Sequence, residues 1–206
     1  MEKYFFMEKV LAKISQGQFF RKAFAVALQI LAVVIALAAL VAWITIWKSI
    51  SGSGYSAEAI LGIIFFQLLF VIAVYMVVHI LLIRAGNINA LPDSEYTVIP
   101  IVSITFKLFG EVYASFVTVI SIAGGILTWF IGSGAFYMIK SSAPLVPSYG
   151  SGEGFWGGLV FMAGGLFSAF VGLVLFYFLA EAVVVLVDIA KNIKMTRQIA
   201  EDYKKK

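Results

Sequence analysis

Residues 23–47 run for twenty-five positions without a charged side chain, and residues 59–83 do the same. The hydrocarbon core of a bilayer is about 30 Å thick, which an α-helix crosses in about 20 residues. Two further runs, roughly Val112–Ile139 and Phe155–Val187, are also long enough. Apolar residues fill successive positions in all four rather than alternating, so strands of a membrane barrel are excluded. Of the 206 residues 62% are hydrophobic and 13% charged, whereas a soluble domain is about half apolar and about a quarter charged. A chain this short has too much surface to hide that excess from water. The expected fold is an all-α integral membrane protein with four transmembrane helices, Ala23–Trp47, Ala59–Ile83, Val112–Ile139 and Phe155–Val187, arranged as two hairpins in a four-helix bundle. The first run is too long, and too far from the N-terminus, for a cleaved signal peptide, and is read as a retained span.

Orientation follows from the basic residues. The first segment holds Lys3, Lys9, Lys13, Arg21 and Lys22; the loop after span two holds Arg84 and Lys107. The tail holds Lys191, Lys194, Arg197, Lys204, Lys205 and Lys206. Only Lys48 and Lys140 fall on the other side, so both termini are expected in the cytoplasm and the chain in a plasma membrane, a bacterial inner membrane. Trp43, Trp47, Trp129 and Trp156 all lie toward the outer ends of spans, where interfacial anchors belong.

The division along the chain is then 1–22, 23–84, 85–110, 111–187 and 188–206. Residues 4–20 place Phe6, Met7, Val10, Leu11 and Ile14 on one helical face, which suits a helix lying in the inner interface or docked on the bundle. Residues 23–84 and 111–187 are the two hairpins. Residues 85–110 are expected to be a cytoplasmic loop broken by Pro92 and Pro100, whose apolar part after Pro100 is an interfacial helix running into span three or else re-entrant. Residues 188–206 should continue the last helix into the cytoplasm, with Leu186, Ile189, Ile193 and Ala200 as an apolar stripe.

The first hairpin ends in LLIRAGNI and the second in LVDIAKNI, so Ala-x-Asn-Ile recurs. Either the hairpins are a parallel duplication, or two unrelated hairpins use the same interfacial residues. The motif AEAVVVLVDIAKN, with Glu181, Ile189, Ala190 and Asn192, resembles an uncharacterised bacterial family of small two-helix membrane hairpins. The resemblance covers about a third of the chain and implies topology, with no chemistry attached.

Lipid gives helices no hydrophobic drive to pair, so close contact needs small residues. Gly164, Ser168 and Gly172 follow one another at i+4 in span four, and Gly124, Thr128 and Gly132 do so in span three. Matched in depth, these rows are expected to face each other as packing ridges.

Polar residues inside the apolar runs are the candidate site. Tyr177, Glu181 and Asp188 lie within about 40° of one another on a helix. Gln67, Tyr75 and His79 step along span two, with Arg84 after them. An ionised carboxylate at the bilayer centre costs about 3 kcal/mol, so Glu181 should be protonated, paired or near the interface. His79 and Arg84 are the partners within reach, and Asp188 marks the exit into water.

Other chemistry leaves no trace. The chain has no cysteine and a single histidine, which removes thiolate sites and multi-histidine zinc or haem sites within one chain. No phosphate-binding glycine loop and no serine-histidine-aspartate arrangement is present. No cofactor, no metal and no nucleic-acid partner is expected. The leading expectation is a non-catalytic accessory or scaffold subunit of a larger membrane assembly, its partners being the lipid bilayer and other membrane subunits or copies of itself. The alternative is a small proton-coupled transporter or channel, acting as an oligomer with Glu181 as the coupling carboxylate.

Overall fold

The computed structural model describes residues 17–51, 54, 56–92, 98–135, 139, 146–147 and 154–204. Their framework is four long helices: α1 (Gly17–Ser51), α2 (Ala57–Asn89), α3 (Val98–Ile131) and α4 (Gly154–Lys204). Each is long and apolar enough to cross a membrane. The expected N-terminal amphipathic helix falls mostly on residues outside those described, as do most of the two outer loops.

Local chemistry sets the ends. Ser56 caps α2 by accepting a hydrogen bond from the Ala59 N–H at 3.3 Å, with Glu58 in the first turn where the helix dipole favours a carboxylate. Two expectations change here. The stretch 85–110 is not mainly a loop: α2 continues to Asn89 and α3 starts at Val98. Pro100 does not interrupt α3, because it sits in the first turn, where backbone N–H groups have no intrahelical partner to lose. The expected run of the interfacial helix into the third span is seen as one continuous helix, begun slightly earlier than Pro100. At its other end Gly132 adopts φ +65°, which a side chain disfavours, and donates its N–H to the Thr128 carbonyl at 2.9 Å.

Successive helices run antiparallel. Arg21 of α1 reaches Leu91 at the end of α2, while Trp43 and Gln67 meet at the other end of the same pair. Between α3 and α4, contacts step forward along one helix as they step back along the other: Ser103 with Ala180, Gly110 with Phe176, Tyr113 with Ser168, Ser121 with Gly165, Gly125 with Gly158. α3 packs on α4, on α2 and lightly on α1, whereas α1 and α4 barely touch, so the bundle is open rather than closed into a ring. In its most apolar stretch α3 is 50% buried and α4 only 6%, which makes α3 the hub and leaves α4 facing outward.

Two cores result. Ile63, Phe66, Ile120, Leu127 and Phe161 join α2, α3 and α4 toward the tryptophan-bearing end. Ala32, Val77, Leu81 and Leu108 join α1, α2 and α3 toward the other. The closest backbone approach is between α3 and α4. A Cβ at Gly125 would lie 2.7 Å from the Gly158 carbonyl oxygen, and one at Gly158 would lie 2.6 Å from that of Gly125. Only glycine fits on both sides.

The packing rows differ from the expected i+4 ridges. The contact face of α4 runs through Gly158, Gly165 and Gly172, seven apart, with Gly165 against Ser121 and Gly172 against the Tyr113 ring. On α3 the seven-step row is Ser103, Gly110, Val117 and Gly124, all buried. At about 100° per residue an i+4 row slips about 40° at each step, while an i+7 row slips back only about 20° and keeps facing its neighbour. Gly172 and Gly124 lie on both kinds of row. Gly164 is half-buried, Gly132 ends α3, Ser168 shares a hydrogen bond with Tyr113 at 2.8 Å, and buried Thr128 donates to the Gly124 carbonyl at 2.8 Å in its own helix.

Candidate functional site

The polar centre of the molecule is Arg84, Glu111 and Tyr177, one residue from each of α2, α3 and α4. The Arg84 Nε donates to Glu111 Oε2 at 2.8 Å, and a terminal guanidinium nitrogen donates to Oε1, a two-pronged ion pair. The Tyr177 hydroxyl donates to the same Oε1 at 2.6 Å. Arg84 and Glu111 are each 19% accessible, sheltered enough that solvent screens them little. Lys107, one turn before Glu111, places its Nζ 5.6 Å from the centre of the Tyr177 ring, within cation–π range. One carboxylate thus ties three helices together.

The fold dictates this set. α3 lies between α2 and α4, so a side chain on α2 meets α3 before it can reach α4. The expected pairing of Glu181 with His79 or Arg84 does not form for that reason: Arg84 takes Glu111. Glu181 is exposed on α4, beside a shallow recess of about 460 Å³ made with Leu173, Val174, Tyr177 and Phe178 of the same helix. Among the described residues it makes no hydrogen bond or ion pair. His79 is exposed on α2 and stacks on Tyr75, the ring centres 5.6 Å apart and 13° from parallel. Gln67 is buried and points elsewhere, its Nε2 donating to the Trp43 carbonyl at 3.3 Å and joining α1 to α2. Gln67 and His79 part company because three i+4 steps turn the helix about 120°. Asp188 is exposed with Lys191 4.0 Å away.

Glu111 is the residue that sequence reasoning missed. Beginning span three at Val112 placed it just outside an apolar run that in fact extends back to Val98. The signal was Arg84: an arginine flanked by apolar residues needs a carboxylate, and few exist in the helices.

Heights along the helices place the trio. Trp129 to Glu111 is about 27 Å of helix, Trp156 to Tyr177 about 32 Å, and Trp43 to Arg21 about 33 Å. Arg21 is itself buried and donates to the Leu91 carbonyl. The tryptophans and the polar residues thus form two belts one hydrocarbon thickness apart. Glu181 lies about 6 Å beyond Tyr177 along α4, on the side away from the tryptophans.

Chemically the trio is a closed set. Both Glu111 oxygens are engaged, and the three hydrogen bonds lead from helix to helix rather than into a passage. No group of three or more His, Cys, Asp or Glu side chains that could hold a metal comes together among the described residues. Compared with protein-family models, curated proteins and solved structures, the chain finds no match.

Proposed function

We propose that this chain is a non-catalytic accessory or scaffold subunit of a larger membrane protein assembly, multi-pass, with both termini cytoplasmic in a bacterial inner membrane. The observation that carries the reading is the contrast on α4. Its inner face is fixed to α3 by glycine contacts and to Glu111 by Tyr177. Its outer face presents Phe170, Val174, Phe178 and Glu181, all exposed. Lipid satisfies the aromatic and aliphatic part of that face. A carboxylate among them is better satisfied by a basic or hydrogen-bonding side chain of another subunit.

The basic residues support the sidedness. Arg21, Lys22, Arg84 and Lys107 all belong to the belt opposite the tryptophans, and α4 extends past that belt with Lys191, Lys194 and Arg197. Its 51 residues make about 75 Å of helix, far more than the hydrocarbon requires. The excess is a cytoplasmic arm with Leu186, Ile189 and Ile193 exposed.

The competing reading, a proton-coupled transporter or channel using Glu181, has less behind it. Glu181 faces outward at the rim rather than into a passage between helices. Gentle extraction followed by native mass spectrometry separates the two. The subunit reading expects unrelated membrane polypeptides in the complex, fewer of them with Glu181→Leu, and no pH-driven flux from the pure chain in liposomes. A pure homo-oligomer whose flux is abolished by Glu181→Gln would overturn it.

A further inference from the structure

The bundle is open, and its two end helices are also its barest: in their most apolar stretches α1 is 11% buried and α4 6%, against 33% for α2. On α1 the seven-step row Ile30, Leu37 and Ile44 is exposed, and on α4 the row Val160, Phe167, Val174 and Glu181 is exposed. We propose that the outer face of α4 is covered by α1 of a second copy of this chain, with Lys22 of one copy paired to Glu181 of the next. The inference rests on the subunit reading of that face and names its occupant.

Charge and height argue for that occupant. Gln67 to Arg84 is about 26 Å of helix and Trp43 to Lys22 about 32 Å. Gln67 donates to the Trp43 carbonyl, so Lys22 stands about 6 Å beyond Arg84. Glu181 stands about 6 Å beyond Tyr177, and Glu111 binds both Arg84 and Tyr177. The exposed cation and the exposed carboxylate are therefore level, at the two ends of the bundle, and neither has a hydrogen bond or ion pair among the described residues. The apolar rows match as well. Toward the tryptophan end, Ile30, Leu37 and Ile44 lie about 12, 23 and 33 Å from Lys22, while Val174, Phe167 and Val160 lie about 11, 21 and 32 Å from Glu181. Seven-step rows keep facing a neighbour, and copies inserted the same way set α1 antiparallel to α4, as successive helices are within the chain. Two α4 faces together would set Glu181 against Glu181, and two α1 faces Lys22 against Lys22; like charges oppose both. The contact is thus head-to-tail and builds a ring or a row of copies in one membrane.

The sequence has no cysteine, so introduced ones report the contact alone. Full chains with Ile30→Cys and with Val174→Cys, carrying different tags, are co-expressed and oxidised in the membrane. A disulfide joining the two tags is expected, and no cross-linked dimer when either chain is expressed alone. Lys22→Glu in the first chain turns an attraction into a repulsion and should lower the yield about ten-fold. Glu181→Lys in the second chain should then restore it. The substituted positions are all exposed, so the folded state should tolerate these changes. No mixed disulfide, equal cross-linking of either chain alone, or a yield indifferent to both charge reversals would overturn the contact. If the mixed disulfide is absent while Glu181→Leu still loses unrelated polypeptides, the copy is wrong and the subunit reading stands. If it forms while the pure chain passes pH-driven flux, the subunit reading fails and the contact stands.

Discussion

Glu111 and Glu181 are both carboxylates in apolar helices toward the basic end of the molecule, and they have opposite fates. Glu111 lies on the hub helix and accepts three hydrogen bonds from two neighbours. Glu181 lies on the peripheral helix and faces out, with no partner among the described residues. The difference comes from what each helix packs against rather than from local sequence. α3 has neighbours on several sides and can satisfy a charge internally; α4 has one main neighbour and cannot do so on its far face. An internally satisfied charge serves the fold, and an outward one is available to something else.

The largest effect should come from the contact that holds α4 to the hub. Gly158→Ala sets a methyl group against the Gly125 carbonyl oxygen, which cannot move aside, and should cost about 3 kcal/mol. Gly164→Ala, on the expected i+4 ridge at a half-buried position, should cost clearly less. Denaturant titration of the purified protein in detergent micelles compares the two. Equal losses would restore the i+4 ridge and break the assignment of faces.

Next in size is the hydrogen bond that ties α4 to the ion pair. Tyr177→Phe removes only the hydroxyl donated to Glu111, and should destabilise by about 1.5 kcal/mol, the lower end for a bond to a charged group. It should also weaken the α3–α4 contact at the basic end, read as faster amide exchange in residues 173–181. Exchange unchanged there would mean the hydroxyl holds nothing in place.

The smallest effect sharpens the other half of the comparison. Glu181→Gln should leave the stability of the isolated chain within about 0.5 kcal/mol, since no internal partner is lost. A loss above about 2 kcal/mol in the same titration would show that Glu181 is held inside the molecule after all.

Much of the fold was legible in the sequence because the hydrocarbon thickness sets a length that composition cannot disguise. The apolar runs located four membrane-length helices, and the long α4 followed from the absence of any breaker after Val187. What was not legible has two physical causes. A straight i+4 row puts Gln67 and His79 on one face, whereas such rows wind about 40° per step and leave the face they begin on, so Gln67 is buried and His79 exposed. The seven-step row Gly158, Gly165, Gly172 was present in the sequence and keeps its face. Neighbour identity was the other gap. Nothing in a list of residues says that α3 stands between α2 and α4, and without that, Arg84 could be matched to the wrong carboxylate.

The most direct test of this architecture is a pair of double-mutant cycles on folding stability, Arg84→Ala with Glu111→Ala and Arg84→Ala with Glu181→Ala. A sheltered two-pronged pair predicts a coupling of about 2–3 kcal/mol in the first cycle and none beyond about 0.3 kcal/mol in the second. Coupling of Arg84 to Glu181 instead of Glu111 would contradict the placement of α3 as the hub and every role assigned from it.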